Sequence, residues 1–364
     1  MTAAATALVL EAPRRLVARS LPLPDIGDDD ALLRVEACGL CGTDHEQYSG
    51  ELHPGYPFVP GHETVGTIVS AGRNAVARWG VEVGQRVAVE VFQSCRSCGH
   101  CRAGAYRRCE RHGITDMYGF VPLDKAPGLW GGYATFQYLG PDSMILPVPD
   151  GLDPVLATLF NPVGAGVRWA VTVPGTSEGD VVAVLGCGVR GLAALVAAKE
   201  AGASFVMVTG RGARDAERLA TARRFGADLV VDVESADPVA ELKRAAGGGA
   251  DVVVDVTAKA PAAFGQAVAL ARAGGTVVLA GTRGSDATPG LHPDHIVYKE
   301  LRIMGALGVD VDAYRAALGL IASGRHPFVD IPRRTVGLDG VAGLLEDMSG
   351  STANVPPMHG VVVP

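Results

Sequence analysis

The run Val181–Leu185, followed at once by Gly186-Cys187-Gly188-Val189-Arg190-Gly191, constrains this chain more than any other segment. A short, wholly apolar strand that ends in spaced glycines and passes into a helix-like stretch (Leu192–Ala201) heads a strand–turn–helix unit. The texture then repeats. Apolar runs at Phe205–Val208, Leu229–Val231, Val252–Val256 and Thr276–Ala280 alternate with helix-like stretches at Asp215–Phe225, Val239–Ala246 and Ala262–Ala271. Such alternation predicts a parallel sheet covered on both faces. One more strand is expected in Arg302–Leu307 and a last helix in Ala313–Ala322.

The glycine spacing has a chemical reading. Gly186 permits the tight turn, Gly188 lets a pyrophosphate approach the backbone, and Gly191 packs helix on strand. The phosphates then meet free N–H groups of Val189, Arg190 and Gly191 at the helix N-terminus. A dinucleotide is therefore the expected ligand. An acid usually follows at the end of the second strand, where it binds the ribose of NAD. Here the sequence is Thr209-Gly210-Arg211-Gly212-Ala213-Arg214. Gly210 leaves room, and Arg211 and Arg214 bring positive charge, which favours NADP while leaving NAD possible.

The first 150 residues differ in texture. Segments such as Ala31–Ala37 and Gln85–Phe92 read as short strands of an antiparallel, barrel-like domain. A chain of 364 residues is too long for one ordinary core. We expect a first domain over 1–155, completed by 300–364, with a dinucleotide-binding domain over 156–299 inserted in it. A net charge of -7 offers no basic footprint for nucleic acid or an anionic membrane. Apolar stretches fall short of the roughly 18 residues a membrane span needs. Met1–Leu10 lacks a basic opening, so no signal peptide is expected.

Six of the seven cysteines fall between Cys38 and Cys109. That clustering suits thiolate metal chemistry in a reducing cytoplasm better than a disulfide framework. Cys95, Cys98, Cys101 and Cys109 can close a tetrahedral shell around Zn²⁺ with no open position, which is a structural site. Upstream, Cys41-Gly42-Thr43-Asp44 is followed twenty-one residues after Cys41 by His62-Glu63. One thiolate, one imidazole and one carboxylate can hold zinc and leave a position for water or substrate. Asp44 is placed to accept the second ring N–H of His62.

Cys-Gly-Thr-Asp, Gly-His-Glu, the four-cysteine loop and the glycine fingerprint, in that order, resemble the zinc-dependent medium-chain alcohol dehydrogenase family. The resemblance implies a GroES-like β-barrel catalytic domain beside a Rossmann-type doubly wound sheet, an α/β fold. It implies catalytic zinc on Cys41 and His62, with Glu63 able to enter the shell, facing the nicotinamide from the cleft between the domains. It implies a third ligand at Asn161, where relatives usually carry Cys, Glu or Asp. Either Asn161 ligates weakly beside Glu63 or it bonds only a zinc-bound water. Thr43 matches the residue that touches the substrate oxygen. The usual relay histidine is replaced by Glu46, with His45 one residue earlier. Cys38 is expected to be buried and inert.

The expected activity is hydride transfer between NADP and a small alcohol or carbonyl compound. A zinc-poor NADPH-dependent reductase of activated C=C bonds and a non-catalytic NADP-binding protein are the rival readings. The resemblance further implies a homodimer or homotetramer. Tyr48, Phe58 and Trp130 are candidate apolar pocket walls, with ordinary packing the favoured reading for each.

Overall fold

The computed structural model describes residues 4–52, 55–283, 292–350, 352, 354 and 356–364. The chain divides into two compact units: Met1–Phe160 with Leu318–Gly324 and Phe328–Pro364, and Asn161–Ala317 with Arg325–Pro327.

In the second unit, Val181–Leu185, Phe205–Gly210, Leu229–Asp232, Ala250–Asp255, Ala271–Leu279 and Arg302–Gly305 form one sheet of six strands among the described residues. Taken in chain order, they lie third, second, first, fourth, fifth, sixth, and every neighbouring pair is parallel. Parallel strands are covered on both faces, so they carry continuous apolar runs. Val182, Val184, Val206, Val208, Val253, Val254, Val277 and Val278 are all buried. Helices Val189–Glu200, Ala216–Arg224, Pro238–Ala246 and Ala262–Leu270 connect the strands. Pro238–Ala246 shows why such stretches begin and end where they do. Asp237 caps it by accepting from Val239 N, Pro238 opens the first turn, and Gly247 closes it in the left-handed conformation.

Two expected boundaries shift. The strand expected at Thr276 begins at Ala271, which pairs with Ala250 ahead of a register irregularity. Arg302–Gly305 adds to the sheet edge beside Thr276–Leu279. The chain consequently returns to the first unit at Leu318, later than the expected residue 300.

The first unit is built on an antiparallel core. Its main sheet runs Arg333–Val336, His359–Val362, Ala31–Leu40, Glu63–Ala71, Arg86–Val89, Ile145–Pro147, and Phe136–Leu139 pairs with residues 31–34. The long strand Ala31–Leu40 organises this unit. One edge takes Phe136–Leu139 and then, at Cys38–Leu40, the C-terminal strand; the other takes Glu63–Ala71. Leu33, Ile68, Val87, Val89, Tyr118 and Leu139 pack together beneath it. Ala4–Ala12 and Arg15–Pro22 form a separate hairpin.

Candidate active site and cofactor loop

The pairing of Ala31–Leu40 with Glu63–Ala71 sets Gly39 opposite Glu63 and Cys38 opposite Thr64. That register brings the end of one strand beside the start of the other. Cys41 Sγ lies 3.3 Å from His62 Nε2. The ligand atoms of Cys41, His62 and Glu63 all lie within 4.8 Å of one another. Residue 39 is glycine because a Cβ there would stand 2.3 Å from Glu63 Oε2.

Helix Gly42–Ser49 begins directly after Cys41. Asp44, in its first turn, accepts from Cys41 N at 2.9 Å, and its Oδ1 lies 3.5 Å from His62 Nδ1. The ring is thereby turned so that Nε2 faces the thiol. Cys41, His62, Glu63 and Asp44 are all buried. Burial alone would lower the pKa of His62, but the charges of Cys41 and Asp44 raise it well above its ordinary value. Asp44 is buried too, and the His62 charge holds its pKa down. His62 Nδ1 and Asp44 Oδ1 have no partner at ordinary hydrogen-bond distance. Burying this set of groups without a cation is costly. A thiolate, an imidazole and a carboxylate so close together fit zinc. Thr43 and His45 lie on the same helix, both half-buried. Cys38 is fully buried, its thiol held well above the usual range by that burial.

The four remaining first-unit cysteines occupy a loop with two short helical turns, Gly99–Arg102, begun by Cys98, and Tyr106–Arg108. Cys98 N donates to Cys95 Sγ, Cys101 N to Cys98 Sγ and the Ser97 hydroxyl to Cys95 Sγ, each at 3.4 Å. The Ser97 hydroxyl and the N–H groups of Cys98 and Ser97 bring the Cys95 thiol down to about 5, and the N–H groups of Glu110 and Cys101 lower Cys98. Burial pushes Cys101 up to about 12. Cys95 Sγ and Cys101 Sγ are 3.8 Å apart, with all four sulfurs within 4.8 Å of one another. A tetrahedron with Zn–S bonds of ~2.3 Å has an edge of about 3.8 Å, the Cys95–Cys101 separation, so the four sulfurs are close enough to hold zinc. His112 braces it from outside, with Nδ1 2.6 Å from Asp116 and Nε2 2.8 Å from Asp142.

In the second unit the glycine loop has the expected geometry. Gly186 takes φ +106°, closed to most side chains. A Cβ on Gly191 would stand 1.9 Å from Gly186 O, whereas one on Gly188 would meet nothing within 4 Å. The backbone is thus open at Gly188, where helix Val189–Glu200 begins. The loop fits a dinucleotide pyrophosphate.

At the end of the second strand Gly210 is crowded: a Cβ there would stand 2.8 Å from Cys187 Sγ and 3.0 Å from Leu219. The glycine answers to packing. Arg211 Nε donates to Glu234 at 2.7 Å, and Arg211 N donates to Asp215 at 2.9 Å. Arg214 is exposed. Tyr48 and Phe58 belong to one hydrophobic core and Trp130 to another, so they are packing residues. Asn161, in the second unit, bonds Tyr314 and Arg190. Neither that pairing nor the role of Gly39 left any mark in the residue spacing.

Comparison with known proteins gives the family. Residues 27–150 match the alcohol dehydrogenase GroES-like domain, and residues 190–323 match the zinc-binding dehydrogenase model. A Mycobacterium tuberculosis protein named probable alcohol dehydrogenase is 67% identical over 359 residues, covering 98% of each chain. Sorbitol dehydrogenase of Bacillus subtilis is 31% identical over 324 residues, covering 87% of this chain and 86% of its own. A Sinorhizobium meliloti structure of the zinc-binding dehydrogenase class, bound to NADP, covers 100% of both chains with a TM-score of 0.84 and 29% identity. The fold and the matched domains define a nicotinamide-dependent oxidoreductase. The chain belongs to the zinc-dependent medium-chain alcohol dehydrogenase family.

Proposed function

We propose that this enzyme moves a hydride between a nicotinamide dinucleotide, NADP ahead of NAD, and a small alcohol or its carbonyl partner. The observation that carries this reading is the buried set Cys41, His62 and Glu63, with Cys41 Sγ 3.3 Å from His62 Nε2. Zinc bound there would supply the Lewis acidity that lowers an alcohol's pKa. Cys41, His62 and Glu63 would hold it, and Asp44 would keep Nδ1 of His62 protonated so that Nε2 offers its lone pair. Three protein donors leave one position for the substrate oxygen. Thr43 Oγ would take the proton of the alcohol and pass its own outward, with His45 the nearest histidine in sequence to receive it. The four-cysteine loop would hold a second zinc that takes no part in the chemistry.

The NADP preference rests on charge at the end of the second strand. Asp215, the nearest following carboxylate, is committed to Arg211 N and to Arg218. The Arg211–Glu234 pair is exposed on both sides, 77% and 52%. Such a pair is worth only about 0–1 kcal/mol, so Arg211 is free to exchange Glu234 for a 2′-phosphate. Five cysteines gathered in two metal sets, Cys41 in one and Cys95, Cys98, Cys101 and Cys109 in the other, suit a reducing compartment such as the cytoplasm. The family likeness favours a homodimer or homotetramer.

Zinc content and steady-state rates on primary, secondary and aryl alcohols, with both cofactors, test the reading. Two zincs per chain and a higher kcat/KM with NADP are expected. Arg211→Ala should cut kcat/KM with NADP roughly tenfold and spare NAD. One zinc per chain, together with turnover of activated C=C substrates, would transfer the enzyme to the reductase reading.

A further inference from the structure

Asn161 stands where the family resemblance implies a third zinc donor, yet its amide is engaged at both ends within the second unit. The side chain is only 4% exposed. Its Nδ2–H donates to the Tyr314 hydroxyl at 2.8 Å, and its Oδ1 accepts from Arg190 Nη2 at 3.4 Å. Arg190 is the second residue of helix Val189–Glu200 and lies within the glycine loop Gly186–Gly191. Its guanidinium lies over the Trp169 ring, 5.8 Å from the centroid. Both supports are themselves fixed. The Trp169 indole N–H donates to Gly308 O at 3.0 Å. Tyr314 is buried, and its ring packs so tightly on Gly164 that a Cβ there would come within 2.6 Å.

These contacts hold a cation in a place where it is unfavourable on its own. The first turn of a helix is the positive end of its dipole, and a guanidinium there adds like charge. A buried amide, a tryptophan face and a tyrosine hydroxyl nevertheless orient it. The arrangement gains a purpose once an anion arrives at the open backbone of Gly188. Arginine's planar fork of donors suits phosphate oxygens better than any other side chain does.

We propose that Asn161 is a positioning residue for the cofactor and not a zinc ligand. With Trp169 and Tyr314 it aims the Arg190 guanidinium at the pyrophosphate of the bound dinucleotide. This rests on the reading that Gly186–Gly191 binds a nicotinamide dinucleotide. It also gives a physical reason for an amide at residue 161. Aspartate would form an ion pair with Arg190 and withdraw its charge from the phosphates, whereas asparagine orients the guanidinium without neutralising it.

The test is titration of NADPH and NADH by fluorescence or calorimetry, with zinc counted in the same samples. The proteins are the parent, Arg190→Ala, Asn161→Asp, Asn161→Ala and the conservative Tyr314→Phe. Zinc per chain should stay at the parent value in all of them. Arg190→Ala should raise Kd for both cofactors on the order of tenfold, because the pyrophosphate is common to both. Asn161→Asp should do about the same, and Asn161→Ala and Tyr314→Phe should raise Kd about threefold. Asn161→Ala added to Arg190→Ala should cost nothing more, since the two act as one unit. Loss of one zinc in Asn161→Ala with cofactor affinity intact would overturn the proposal. So would Asn161→Asp that tightens zinc at unchanged Kd, or Arg190→Ala with the parent's Kd. A parent that binds neither cofactor would instead remove the functional reading itself, and that is visible before any variant is compared.

Discussion

The two candidate metal sets of the first unit, four sulfurs in one and a sulfur, an imidazole and a carboxylate in the other, are gathered by opposite routes. Cys95, Cys98, Cys101 and Cys109 come from one loop of fifteen residues, whose own N–H groups point at its sulfurs. Cys41, His62 and Glu63 come from the ends of two paired strands. Their arrangement depends on the Gly39–Glu63 register and on Asp44 from the following helix. A loop that closes on itself can stabilise the fold through its metal and needs little else. A set gathered from separate elements is only as good as the sheet beneath it, but it can leave a coordination position open for chemistry.

The sharpest way to break this comparison is Cys98→Ser. Cys98 begins the helical turn Gly99–Arg102, and its Sγ accepts from Cys101 N, so both the metal and the loop lose support. Structural zinc is coupled to folding, and losing it should cost several kcal/mol. For a domain of this size that is a fall in Tm of roughly 10 °C. Calorimetry should show that fall and metal analysis two zincs dropping to one. The folded fraction should keep kcat within about twofold, as the proposed structural role of this loop requires. A variant with unchanged Tm but lost turnover would make the loop the chemical centre.

A smaller change should separate the other cluster. Asp44→Asn keeps the side-chain shape but removes the charge beside His62 Nδ1. Support of this kind for a metal-bound histidine is typically worth 10–100-fold in metal affinity, an effect expected here on the order of the lower figure or above. Competition with a chelator should show one zinc leaving more easily while the four-cysteine zinc stays. Tm should move by no more than about 2–4 °C. If both zincs weaken together, the clusters are not independent.

How much of this was legible in the sequence follows the same division. The strands from Val181 to Gly305, the glycine loop and the four-cysteine spacing are local patterns, and the chain prints them directly. Helix Gly42–Ser49 is less legible, because Gly, Thr, Asp and His form helices poorly. It is held by Asp44 reaching back to Cys41 N, one half of a capping box. Contacts between distant residues leave no pattern at all. Asn161 and Tyr314 are 153 residues apart, and Arg211 and Glu234 are 23 apart. The packing reason for Gly210 is hidden in the same way: its crowding comes from Cys187 and Leu219, which only the fold brings near.

The smallest expected effect sharpens the comparison most narrowly, because it concerns one spacing used twice. Cys38-x-x-Cys41 and Cys95-x-x-Cys98 read alike, yet only the second pair belongs to one metal set. Backbone conformation separates them. Cys38 lies in the strand Ala31–Leu40, and Cys41 continues it in an extended conformation. Side chains an odd number of residues apart on a strand leave by opposite faces. Between Cys95 and Cys98 the chain turns instead, which brings Cys98 N within 3.4 Å of Cys95 Sγ. Cys38 Sγ sits 3.6 Å from Gly39 O and 3.7 Å from Thr64 Oγ1, packed with Leu40, Phe58 and Tyr133. Replacing it by alanine removes one buried sulfur, a loss of about 1 kcal/mol or a Tm shift of about 2–4 °C. Zinc should remain at two per chain and turnover should be unchanged. The parent's Cys38 should resist thiol reagents under native conditions, because burial keeps it protonated. Loss of zinc in Cys38→Ala would mean that the extended pair does share a metal, and the contrast between the two spacings would fall.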